Sequence, residues 1–136
     1  HYNSHLILWL LTTNIYNMGS LVNFINNFKK DVISNDKDYE CKRFLFKSIV
    51  HLMVSLEIAS SSILDEKVNI NNLKSSIPSS LITENKLKNV LNEGVRNNFF
   101  IEKKFLNKSK LSYYKTSKRF SLMITNWYLE NKSKFN

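Results

Sequence analysis

Residues 83–116 read TENKLKNVLNEGVRNNFFIEKKFLNKSKLSYYKT, and the period of their apolar positions changes partway along. Leu87, Val90, Leu91 and Val95 are spaced by three and four, which predicts a helix with one buried face. Thr83 supplies the side-chain oxygen that caps such a helix, and Glu84 puts an anion in the first turn, where the helix dipole favours it. Gly94 lies inside the helix at a cost of roughly 1 kcal/mol relative to alanine, and is expected to let a neighbouring helix approach closely. Asn97-Asn98 ends the helix, because asparagine tolerates the left-handed conformation there. From Phe99 to Phe105 the pattern alternates with period two, and it does so again from Leu111 to Lys115. The polar residues between them, 106–110, then form the loop of a β-hairpin.

Working outward, Asn69 is placed to cap a short helix carrying Ile70, Leu73 and Ile77, and Pro78 stops it by removing a backbone donor. Residues 78–82 are the turn between the two helices. Downstream, Thr116 is expected to cap a last helix with Phe120, Ile124, Trp127 and Tyr128 on its apolar stripe. Upstream, 39–59 reads as one long helix with Phe44, Ile49, Leu52, Met53, Leu56 and Ile58 mostly on one face. Residues 60–62, all serine, end that helix, and 65–69 is a polar connection. The stretch 6–33 predicts two helices or one bent one, interrupted at Met18-Gly19-Ser20, with Val22, Ile25, Phe28 and Val32 along a stripe. The expected fold is one domain, mostly α with a small β-hairpin wing. Its parts are an N-terminal helical segment 1–34, the long helix 39–59, a helix-turn-helix with hairpin over 68–116, and a C-terminal helix 117–134.

Composition agrees with helices: two glycines and one proline leave few turns for a many-stranded sheet, and 43% apolar residues suffice for a core. Cys41 stands alone and has no disulfide partner within the chain, so a reducing, cytoplasmic location is expected. The apolar run 6–11 is far shorter than the ~20 residues of a membrane span and lacks the flanks of a signal peptide. The sequence opens on His1, which suggests a remnant or truncation with Met18 as a candidate native start. The formal charge of +9 is unevenly spread: residues 1–66 carry 6 Lys/Arg against 7 Asp/Glu, and residues 67–136 carry 14 against 4. Seventeen lysines, nineteen asparagines and one alanine suggest the codon bias of an AT-rich genome. Such a bias acts on both halves, so charge gathered in one of them points to a binding face.

Helix, turn, helix, basic hairpin, helix is the order of a winged helix-turn-helix, whose second helix fits the major groove of B-DNA. Thr83 stands at the start of that helix, and its outward positions are Asn85, Lys86, Lys88, Asn89 and Asn92. Lysine there neutralises phosphate, and asparagine pairs bidentately with adenine. The hairpin presents Lys103, Lys104, Asn107, Lys108, Ser109 and Lys110 as a phosphate-seeking wing.

From Asn72-Leu73-Lys74 through Leu87, Val95 and Asn98-Phe99-Phe100-Ile101-Glu102-Lys103-Lys104 to Tyr114-Lys115-Thr116-Ser117-Lys118-Arg119, the chain resembles the multiple-antibiotic-resistance regulator (MarR) family of transcription factors. In that likeness Asn98 takes the place of a glycine that ends the recognition helix, Phe99-Phe100 that of an apolar pair, and Thr116 that of the closing cap. The resemblance covers about half the chain. It implies a homodimer built from the N- and C-terminal helices, sequence-specific binding of double-stranded DNA, and regulation of transcription. It also implies a small-molecule effector, although no residue marks its pocket. The alternative is a winged helix used as a protein–protein interaction module without DNA, and a third reading is an RNA-binding or replication-associated winged helix.

Other features have plainer readings. His51 is expected as a packed histidine rather than a ligand, and Cys41 as an ordinary thiol. The aromatics are expected in the core more than as base-stacking platforms. Asp36, Asp38 and Glu40 lack the spacing of a calcium loop. Zinc-ligand spacing, catalytic triads, phosphate-binding glycine loops and HExxH are all missing from the sequence, so no enzyme, cofactor or metal is expected.

Overall fold

A computed structural model describes residues 18–33, 39–105 and 111–132. The expectations for residues 1–17 and for the hairpin loop 106–110 therefore lie outside the described residues. In chain order the elements are α1 (Met18–Ile33), α2 (Glu40–Leu45), α3 (Ile49–Ile63), β1 (Val68–Asn69), α4 (Ile70–Ser76), α5 (Glu84–Arg96), β2 (Phe100–Lys103), β3 (Tyr113–Thr116) and α6 (Lys118–Lys132). The architecture is mostly helical, with a small antiparallel sheet of order β1-β3-β2. No helix among the described residues is long and apolar enough to cross a membrane.

The expected long helix 39–59 is two helices. Ser48 adopts extended backbone (φ −156°, ψ 167°), and its Oγ accepts the His51 amide at 3.1 Å, which caps α3 and breaks it from α2. The restart shifts the helical phase. Val50, Val54 and Ile58 turn inward, while Ile49 and Leu56, expected on the apolar face, are 51% and 39% exposed. The serines do not end α3 at residue 60, because Ser62 Oγ donates back to the Ile58 carbonyl at 2.7 Å and so fits inside a helix. The end comes at Asp65, with φ 54°, whose amide reaches the Ser62 carbonyl while the Glu66 amide reaches that of Ser61.

Val68 and Asn69, expected in a polar connection, pair with Tyr114 and Tyr113 as the third strand. Asn69 then caps α4 as expected: its side chain accepts the Asn72 amide and the Asn72 side chain returns the bond, both at 2.9 Å. The hairpin pairs Phe100 with Thr116 and Lys103 with Tyr113. Thr116 is thereby a strand residue rather than the cap of α6. The cap is Ser117, whose Oγ accepts the Phe120 amide at 3.1 Å. On α6 Phe120 and Met123 face the core, whereas Tyr128, expected on the stripe, is 57% exposed.

Leu45, Val54, Ile58, Leu73, Leu87, Leu91, Phe100 and Phe120 form the centre of the core, where α2, α3, α4, α5, β2 and α6 meet. Full burial of each such side chain contributes about 1.5–3 kcal/mol before the entropy of ordering is subtracted. Phe44 is the hub, its ring lying 5.0, 5.4 and 6.2 Å from those of Phe99, Phe100 and Phe120.

Candidate nucleic-acid interface

The helix α5 is held at both ends and along one side. At its start Thr83 Oγ1 accepts the Lys86 amide at 3.2 Å, as its sequence position predicts. At its end Asn98 takes the left-handed conformation (φ 61°), its amide bonding the Val95 carbonyl while the Phe99 amide bonds that of Gly94 at 2.8 Å. This closure turns the chain directly from α5 into β2 and drives Phe99 and Phe100 into the core. A Cβ on Gly94 would lie 2.2 Å from Phe100 Cδ2, so the glycine admits the ring of a strand residue and not the neighbouring helix expected.

With Leu87, Val90, Leu91 and Gly94 buried, the opposite side of α5 faces outward. Asn85, Asn89 and Asn92 are exposed and follow one another at spacings of four and three, along one line of the helix. Arg96 continues that line, four residues on, and is exposed as well. It was missed because it sits in the last turn, where a basic residue is also expected merely to complement the helix dipole. Lys88 is exposed on one side of the stripe, and its Nζ lies 3.6 Å from Glu84 Oε1, which Lys74 of α4 approaches at 3.7 Å from the other oxygen. Both pairs are solvent-exposed, so each adds little to stability. Lys86 is exposed on the opposite flank of α5. Lys103 and Lys104 are exposed on and just beyond β2, the strand that packs against α5. Asn107, Lys108, Ser109 and Lys110 lie outside the described residues.

Glu93 ties the inner flank of α5 to the α2–α3 junction. Lys47 Nζ donates to its Oε1 at 2.6 Å, and His51 Nε2 lies 3.0 Å from its Oε2. The carboxylate only accepts, so the proton of a neutral His51 sits on Nε2. Its Nδ1, 2.6 Å from Ser48 Oγ, then accepts the serine hydroxyl. Burial pushes the Glu93 carboxyl up, but the hydrogen bonds from Lys47 and His51 and the charge of Lys47 outweigh it and hold the group below its ordinary value of 4.5. His51 is packed edge-on to Phe44, in keeping with its expected role as a buried histidine. The Glu93 partners stand 42 and 46 positions away, and nothing local in the sequence signals the clamp.

Two concavities flank this framework. One, of about 460 Å³, lies beside the clamp between Arg43, Lys47, Asn97 and Phe99. The other, of about 440 Å³ and nearly all apolar, lies between Phe24 of α1, Ile63 of α3 and Ile124, Trp127 and Tyr128 of α6. On the same two helices Leu21, Val22 and Ile25 of α1 and Leu122 and Leu129 of α6 are 44–58% exposed. Cys41 is buried, and that burial pushes its thiol up, which disfavours the reactive thiolate. Among the described residues no group of three or more His, Cys, Asp or Glu is placed to hold a metal ion. The chain matches no family model, no curated protein and no solved structure.

Proposed function

We propose that the chain is a winged helix-turn-helix protein that binds duplex DNA, in the manner of the MarR regulators it resembles, and acts as a dimer in controlling transcription. The observation that carries this reading is the exposed line Asn85, Asn89, Asn92 and Arg96 on a helix whose other side is locked into the core. The element order supports it: α4, turn, α5 and a hairpin, with β1 joining the sheet beside β3. In this reading α5 enters the major groove, asparagines meet base edges, and Lys86, Lys88, Arg96, Lys103 and Lys104 neutralise phosphates. The exposed apolar residues of α1 and α6 meet those of a second copy, and a small effector occupies the apolar cleft between α1, α3 and α6.

A preferred site selected from randomised duplex is the substrate of the test. Asn85→Ala or Asn89→Ala should cost about 1–3 kcal/mol on that site and leave random duplex nearly unchanged. Equal losses on both DNAs would mean that these residues only hold the backbone. Affinity that does not fall between 50 and 200 mM salt would refute phosphate contact and favour a protein partner.

A further inference from the structure

The small sheet has two unlike faces. Residues directly opposite across an antiparallel pair share a face, and alternate residues along a strand do too. Phe100 and Thr116 are opposite and buried, so they mark the core face, together with Val68. The register then places Asn69, Ile101, Lys103, Tyr113 and Lys115 on the other face. Ile101 is 41% exposed there, and Lys103 is exposed beside it. Where the hairpin leaves the sheet, the rings of Phe105 and Tyr113 lie 5.0 Å apart. Lys67 Nζ stands 5.1 Å from the first ring and 5.3 Å from the second. Lys115 reaches Asp65 Oδ1 at 3.2 Å, on a carboxylate that is itself 89% exposed.

We propose that this outer sheet face binds unpaired nucleotides, with bases stacked on Phe105 and Tyr113 and phosphates held by Lys67, Lys103 and Lys115. Lys67, Lys103 and Lys115 make the face complementary to a polyanion, within a half of the chain where Lys and Arg number 14 against 4 acids. The rings select for strandedness. Inside a duplex every base face is covered by its neighbours, so an aromatic side chain stacks only on a base that is unpaired or terminal. Lys67 over both rings stands where the phosphate of a stacked nucleotide would pass, and the cation exchanges its ring contact for that phosphate. The site shares Lys103 with the duplex surface proposed above, but its rings lie outside that surface and it does not rest on the duplex reading.

The test titrates the full chain with a fluorescent short oligothymidylate and, separately, with a long blunt-ended duplex that has no unpaired bases. Phe105→Leu and Tyr113→Leu keep apolar bulk but lose the ring, and each should weaken the oligothymidylate about tenfold. Their duplex affinity should move less than about twofold. Lys67→Gln should lower the single-strand salt slope by about 0.7. No binding of the oligothymidylate by the unsubstituted chain, unchanged binding by both ring variants, or equal losses on both nucleic acids would each overturn the proposal. Ultraviolet crosslinking of a bromodeoxyuridine oligomer to the unsubstituted chain guards against misfolded variants. Adducts on Phe105 or Tyr113 support the platform, and adducts confined to α5 refute it. Ring-dependent single-strand binding without duplex binding would sink the regulator reading and leave this one standing.

Discussion

Replacing Gly94 by alanine adds one methyl group to α5, and on an open helix face that change stabilises by about 1 kcal/mol. Here the new Cβ would lie 2.2 Å from Phe100 Cδ2, 2.5 Å from Cε2 and 3.0 Å from Cγ. Ordinary carbon contacts need about 3.5–4.0 Å, so the ring would have to retreat by more than about 1 Å. It has nowhere to go, because Phe100 is 2% exposed with Phe44 and Phe120 rings at 5.4 and 5.6 Å. Overpacking of this kind costs about 1–3 kcal/mol, and a backbone-anchored clash belongs at the upper end. Subtracting the helix-propensity gain leaves a net loss of about 2 kcal/mol, or about 6–8 °C in Tm for a chain of this size. Urea and thermal unfolding followed by circular dichroism measure it. The pair Gly94→Ala with Phe100→Leu should lose less than the sum of the single changes, since the smaller side chain makes room for the methyl. A Gly94→Ala variant as stable as the parent would refute the close approach of α5 and β2 that aims the outer stripe.

Glu93, held below 4.5 in the folded chain, contributes stability that is present above its ordinary carboxylate value and is lost as pH falls through the folded one. Glu93→Gln should therefore flatten the loss of stability below about pH 4.5, and identical acid profiles would refute the clamp. Lys104, Lys108 and Lys110 changed together to alanine should weaken all duplexes alike and reduce the salt slope by up to about three units. Unchanged affinity at low salt would take the wing out of the interface. Leu21→Glu with Ile25→Glu, at positions 49% and 44% exposed, should leave the fold intact and give monomer by sedimentation. A persistent dimer would locate the contact elsewhere.

Where an element carries its own signal, sequence and structure agree closely. The cap at Asn69, the stop at Pro78, the cap at Thr83, the left-handed Asn98 and the paired strands after it are all set by residues within a few positions of the feature. The outward set Asn85, Lys88, Asn89 and Asn92 was legible for the same reason: once Leu87, Val90 and Leu91 are known to be buried, helical geometry leaves no other side for it. Errors arose where two local devices compete. Ser48 and the run at 60–62 are equally good caps and helix-interior serines, and only packing decided that the first breaks a helix while the second does not. Thr116 and Ser117 are both competent caps, and the strand pairing with Phe100 took Thr116 out of contention.

The sequence by itself determined the order of helices and hairpin from α4 onward, the buried stripe of α5 and the concentration of positive charge after residue 66, because periodicity, caps and charge are properties of neighbours along the chain. Only the tertiary structure decided what those elements meet. Val68 became a strand because β3 offered it an edge, Gly94 proved necessary for a ring six residues on, and Glu93 found its partners more than forty positions upstream. The face shared by Lys67, Phe105 and Tyr113 exists only through strand register, which joins residues whose separation along the chain gives no hint of it.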